Sequence, residues 1–227
     1  MSVHYESLRL ATLYPDTFNV AAPMPAVGPE VWPRQPGVFI RKAQAEVATG
    51  DASTEPGKPA RELVAGQLGL VPPWVKSASD AKLRSTKLVN ARSETVTTSN
   101  NFREAWLGGR RCIVPMMAFF EDDWRSGKAV PTRIARVDGK PMGVAGLWES
   151  WTGAAGETLI SYTLLTVNAN SHALMHRYQQ PGNEKRMLAI LNEGAWDAWL
   201  TVAHPEKARE FMRAYPANWL TANPLEK

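Results

Sequence analysis

Arg111-Cys-Ile-Val114, Met117-Ala-Phe-Phe-Glu121, Val130-Pro-Thr-Arg-Ile-Ala-Arg-Val137, Met142-Gly-Val-Ala-Gly-Leu-Trp148 and Leu159-Ile-Ser-Tyr-Thr-Leu-Leu-Thr-Val167 follow one another with little between them. Each run is short and rich in β-branched or aromatic residues, as strands are. The breaks between them, Ser126-Gly127, Asp138-Gly139 and Gly153 to Gly156, carry residues that reverse a chain in a few positions. Short links favour antiparallel neighbours, so this stretch predicts antiparallel strands rather than alternating strands and helices.

Working outward, Val38 to Val47 and Arg61 to Val71 are expected to pair as strands, joined by an exposed loop over 48–60 made of turn-forming residues. Pro23, Pro25, Pro29, Pro33 and Pro36 fix φ and remove donors, so 23–36 is read as an extended crossing segment. Asn100-Asn101 is placed to cap a helix from Phe102 to Leu107 that Gly108-Gly109 ends. Downstream, Asn170 is expected to cap a helix through His176. Arg186 to Leu191 reads as a strand, and Gly194 to Leu200 and Pro205 to Tyr215 as closing helices. The expectation is α+β: one domain over 1–227, mainly antiparallel strands in a bent or barrel-like sheet, with inserted and C-terminal helices.

The 227 residues suffice for one sizeable core. A net charge of +4 permits a polyanionic partner without requiring one. The single cysteine, Cys112, excludes an intramolecular disulfide and a thiolate metal cluster, which fits a reducing cytoplasm. His4, His172 and His204 lack ligand spacing, so no metal is expected. Nucleotide cofactors are unsupported, because there is no Gly-x-x-x-x-Gly-Lys loop and no Gly-x-Gly-x-x-Gly fingerprint. Neither an apolar leader nor a membrane-length apolar run is present, so a cytoplasmic protein without membrane contact is expected. Nine tryptophans serve equally as core filler or as surfaces on which bases stack, so composition does not choose between them.

Asn90-Ala-Arg-Ser-Glu94 joins an amide, a guanidinium and an acid. An amide offers a donor and an acceptor in fixed geometry, and a guanidinium grips phosphate with paired bonds. The plainer reading is a turn Asn and an Arg92–Glu94 ion pair. In Phe119-Phe-Glu-Asp-Asp-Trp124, flanking aromatics would desolvate Glu121 and raise its pKa toward neutrality, whereas three successive acids also suit a solvated turn.

With Gly69-Leu-Val-Pro-Pro-Trp74, Cys112-Ile-Val-Pro115 and Leu165-Thr-Val-Asn-Ala-Asn170, these motifs resemble the SRAP family, the SOS-response-associated peptidases that bind single-stranded DNA at abasic sites. The resemblance runs from Met1 to about Leu200. It implies that the chain's second residue, freed by removal of the initiator methionine, attacks the aldehyde of a ring-opened abasic sugar. An α-amine with a pKa of about 7.7 to 8.0 is partly neutral and so able to form a Schiff base. The family has a cysteine there whose thiol closes a stable ring. This chain has Ser2, whose hydroxyl closes only a readily hydrolysed oxazolidine.

The resemblance further implies that Asn90 orients the N-terminus, Arg92 contacts phosphate and Glu121 moves protons. It also places Trp74, Thr166 and Arg186 among the DNA contacts, with a core tryptophan as the alternative for Trp74. The family histidine falls on His176 in one alignment and on Gln179 in another that needs no gap. An amide at that position exchanges no proton. The function so implied is binding of single-stranded or abasic DNA in a basic, aromatic-lined groove, with covalent capture weak or lost. The alternatives are an active crosslinking or self-processing enzyme using the N-terminal amine with Glu121 and His176, and an interaction protein with no nucleic-acid role.

Overall fold

The computed structural model describes residues 1–2, 4–44 and 59–225, so the loop expected over 48–60 lies outside the described residues save for Pro59 and Ala60. The strands of the first half are β1 (Tyr5–Glu6), β2 (Glu30–Val31), β3 (Pro36–Lys42), β4 (Arg61–Leu68), β5 (Asn90–Arg92) and β6 (Arg111–Met116). Those of the second half are β7 (Ala118–Asp123), β8 (Val130–Arg136), β9 (Met142–Thr152), β10 (Thr158–Asn168), β11 (Arg186–Leu188), β12 (Ile190–Leu191) and β13 (Leu220–Pro224). The α-helices are short: α1 (Ala78–Ser85), α2 (Arg103–Leu107), α3 (Trp196–Thr201) and α4 (Pro205–Ala208). The fold is α+β, with antiparallel pairing dominant.

One sheet closes on itself. β10 pairs with β4, β4 with β3, β3 with β6, β6 with β9, and β9 returns to β10. Closure removes the unpaired strand edges an open sheet leaves. The register demands close packing at Gly146, where a Cβ would lie 2.7 Å from the Thr163 carbonyl oxygen and 3.0 Å from Cys112 Sγ. Two pairings on β10 are parallel, those with β4 and β5, because both partners arrive by crossover rather than by hairpin.

The second sheet has the order β13-β8-β7-β1-β2. Its N-terminal strand β1 therefore lies inside the sheet, paired antiparallel to β7 on one side and to β2 on the other. Tyr5 points into the core, and its hydroxyl meets that of Tyr162 on β10 at 2.6 Å, joining the two sheets. Gly37 makes room for this pair, since a side chain there would collide with the Tyr162 hydroxyl. Burying an aromatic ring of this size is worth about 1.5–3 kcal/mol, and the hydroxyl pair spares the phenols an unsatisfied burial.

Several local expectations give way. Asn170 caps no helix: its Oδ1 accepts from the Lys185 backbone N–H at 2.7 Å, tying two loops together, and only the 3₁₀ turn Met175–Arg177 forms nearby. At α2 the N-cap is Phe102, without a side-chain cap from Asn100 or Asn101. The run 186–191 is divided into β11 and β12, which pair with different strands, and Ala189 bonds both ways between them. α3 and α4 are shorter than the closing helices expected, and beyond them comes a strand, β13, antiparallel to β8. Pro224 is tolerated there because β13 is an edge strand. Helix α1 follows an Ser77 cap that accepts from the Asp80 N–H at 3.1 Å. No helix among the described residues is long and apolar enough to cross a membrane.

Candidate active site

The N-terminus ends inside a cavity of about 910 Å³. Ahead of the interior strand β1, Ser2 lies between the end of β7 and the crossover strand β5. Ser2 is buried, and its Oγ donates to the Phe120 carbonyl oxygen at 2.9 Å. From the other side, Asn90 Nδ2 donates to the Ser2 carbonyl oxygen at 2.6 Å. Parallel pairing of β5 with β10 buries Ala91, and the period-two alternation turns Asn90 and Arg92 the other way. Asn90 Oδ1 is buried and has no hydrogen-bond partner among the described residues.

Glu121 stands at the centre. Its carboxylate lies 3.4 Å from the Met1 amine and is close enough to the Ser2 backbone N–H to feel its pull. Burial pushes its pKa up to about 7, against the opposing pull of the Met1 ammonium, the Ser2 N–H and the Gln179 side chain. Asp122 is exposed and Asp123 pairs with Arg125, so only the first of the three acids is enclosed.

Gln179 and His176 separate clearly. The segment at Tyr178 continues the sheet, with Asp123 bridged to Tyr178 and the Gln179 N–H donating to the Asp122 carbonyl oxygen at 2.9 Å. That brings Gln179, in the left-handed region at φ 68°, beside Glu121. Its amide is held at both ends by the Arg186 backbone, Nε2 donating to the carbonyl oxygen at 2.6 Å and Oε1 accepting from the N–H at 3.0 Å. His176 is exposed, its Nδ1 lies 2.7 Å from the His172 carbonyl oxygen, and it is absent from the cavity lining.

The residues expected to meet DNA divide by exposure. Arg92 lines the cavity half-exposed and pairs with Glu184 at 2.6 Å rather than with Glu94. Glu94 instead pairs with Arg186, a buried guanidinium that also donates to Glu184 and to the hydroxyl and carbonyl oxygen of Thr166. Thr166 is fully buried, so direct contact with DNA from its side chain would require the strand to open. Trp74 is not a core tryptophan: it is 40% exposed, donates from Nε1 to the Asn100 carbonyl oxygen and carries the Arg84 guanidinium 4.7 Å over its ring. It lies apart from the cavity lining.

The lining also corrects the expectation of a basic groove. Glu30, Glu121, Asp122 and Glu184 face the cavity against Arg92, Arg186 and the Met1 amine, so its wall is mixed in charge. The sequence reading did not single out the row of rings in this lining. His4 is stacked between Trp32, at 3.6 Å, and Phe120, at 4.5 Å, and burial lowers its pKa against the pull of Glu30 and Asp122. The signal available was the pairing of three strands distant in sequence, which no single run displays.

A buried second residue thus lies between an amide and an acid, on a barrel joined to a five-stranded sheet. The family described as SOS response associated peptidase (SRAP) matches residues 11–227, and the chain belongs to it. It is 31% identical over 157 residues to the abasic site processing protein YoqW of Bacillus subtilis, a match spanning 68% of this chain and 65% of that protein. Against the abasic site processing protein HMCES of Gallus gallus, identity is 26% over 185 residues, 73% of this chain and 53% of that one. A crystal structure of a Bordetella bronchiseptica protein superposes with a TM-score of 0.83 at 39% identity, covering 99% of this chain and 100% of the other.

Proposed function

We propose that this protein binds single-stranded DNA at abasic sites and engages the opened sugar only transiently through its N-terminal amine. The observation that carries this reading is the placement of the Ser2 backbone nitrogen at the Glu121 carboxylate, with the Ser2 carbonyl fixed by Asn90. Loss of Met1 would leave that nitrogen as a free α-amine already beside a carboxylate whose pKa burial raises. Attack on an aldehyde forms an imine and releases water, and Glu121 is suited to take the amine proton and return it to the departing oxygen. The relatives named as abasic site processing proteins support the substrate class.

The serine decides how long the adduct lasts. A thiol would add to the imine carbon and close a stable ring, whereas the Ser2 hydroxyl is a weaker nucleophile and already donates to the Phe120 carbonyl oxygen. The imine is thus left open to water. Arg92 supplies a phosphate contact from the cavity wall once it exchanges Glu184 for DNA, while Thr166 and Arg186 act as the framework beneath it.

Intact-mass analysis after incubation with an abasic single-stranded oligonucleotide tests the reading. A Ser2 adduct trapped by borohydride, and none surviving without it, is the expected outcome. An adduct that persists without reductant would refute weak capture, and failure to bind the oligonucleotide in low salt would remove the DNA reading altogether.

A further inference from the structure

The strand register sets up a feature that the chemistry at Ser2 does not use. Tyr5 pairs with Phe119 and with Val31, so the next step along the ladder places His4 opposite both Phe120 and Trp32. Their three rings stack in that row, with centroids 3.6 and 4.5 Å apart and planes within 6° and 8° of parallel. Phe120 is buried at one end, and β2 is the sheet's last strand, so the stack ends at Trp32, which is 42% exposed on the cavity wall.

Trp32 is also held still. Its indole N–H donates to Glu30 at 3.1 Å, its backbone N–H donates to the Gln35 side chain at 3.0 Å, and its carbonyl oxygen accepts from the Gln35 N–H at 2.9 Å. An exposed indole fixed in one orientation gains nothing for the core, yet it is organised in advance for a flat partner. Glu30 and Asp122 flank the row, and their charge disfavours phosphate at this position. The flat partner is therefore uncharged on the face it presents.

We infer that Trp32 is the stacking seat for an unpaired nucleobase adjoining the abasic position, backed by His4 and Phe120. The inference rests on the DNA reading above and adds the part of the ligand that this wall takes. Base–aromatic stacking tolerates any base, because each has a π-face, so the seat confers affinity for a base beside the lesion rather than for a sequence.

The test uses single-stranded DNA with a tetrahydrofuran abasic analogue flanked by 2-aminopurine, excited beyond the tryptophan band, with anisotropy of an end label recorded in parallel. Binding of the wild-type protein should change the 2-aminopurine emission. Trp32→Ala should abolish that change and weaken binding roughly tenfold, as expected for loss of one base–aromatic stack, whereas Trp32→Phe should retain most of both. Thermal melts of both variants establish that each is folded. Unaltered emission in Trp32→Ala, with binding intact, would overturn the seat while leaving DNA recognition standing. No anisotropy change with the wild-type protein would instead overturn the DNA reading and this inference with it.

Discussion

Asn90 Nδ2 donates to the Ser2 carbonyl oxygen at 2.6 Å, and this bond fixes the chain's second residue against a strand that begins 88 residues later. Replacing Asn90 with Ala removes the donor and leaves a carbonyl in a part-buried position unmatched, at a cost of about 1–3 kcal/mol. Because the loss is local, Asn90→Ala should lower the melting temperature modestly and sharply raise hydrogen exchange at Tyr5 and Glu6. Unchanged exchange in β1 would mean that the strand pairing alone holds the terminus.

Glu121 should give the protein an unusual pH response. Its folded pKa, about 7, lies above the ordinary carboxylate value of 4.5, so the folded state holds its proton more tightly than the unfolded state does. The stability contributed is fully present below about pH 4.5 and is lost as pH rises through 7, on the order of 3 kcal/mol in all. Glu121→Gln should remove this slope, so the melting difference between wild type and variant should widen between pH 4.5 and 7. A constant difference across that range would show that the acid titrates normally.

Arg92 and Glu184 lie 2.6 Å apart, so on the proposed function DNA phosphate would have to displace Glu184 from the guanidinium. Arg92→Ala should weaken single-strand binding and reduce the salt slope by about one phosphate's share. Glu184→Gln should act in the opposite direction, freeing the guanidinium and tightening binding at low salt. Equal salt slopes in wild type and Arg92→Ala would assign Arg92 a structural role.

The strands were readable because each apolar run ends at a turn chemistry that permits only a few geometries; the helix at α2 was readable because Gly108 and Gly109 stop it. Asn170 misled because a capping residue and a loop tie offer the same acceptor, and only the Lys185 N–H decides between them. Barrel closure was less accessible, since the parallel partners of β10 come from distant segments and leave no periodic trace in either. At the site, Asn90, Arg92 and Glu121 stood out because their motifs are local. The row Phe120–His4–Trp32 arises from register across three strands and has no local sequence counterpart. Gln179 was reachable by keeping the alignment free of gaps, and its place beside Glu121 reflects the short extension of the sheet at Tyr178.

The strongest test of the pocket is to return to it what the chain lacks. Ser2→Cys with Met1 removed places a thiol where Ser2 Oγ now lies, next to an amine fixed by Asn90 and Glu121, and should convert a borohydride-dependent adduct into one that persists without reductant. Whether that suffices depends on who moves the proton during opening of the sugar. Gln179 cannot, because an amide neither gains nor loses one at accessible pH. Glu121, buried with a pKa near 7, can. If Glu121 acts alone, Ser2→Cys captures abasic DNA at a rate that adding Gln179→His leaves unchanged. If an imidazole is needed, capture by the single variant should be slow and the double variant should accelerate it severalfold, with a rate that follows imidazole titration. The histidine cannot reproduce both bonds that Gln179 makes to the Arg186 backbone, so the double variant should also melt earlier by an amount reflecting a lost hydrogen bond, about 1 kcal/mol. Rates measured well below both melting temperatures separate the two effects, and a double variant that destabilises without any change in rate would place Gln179 in the scaffold rather than in the chemistry.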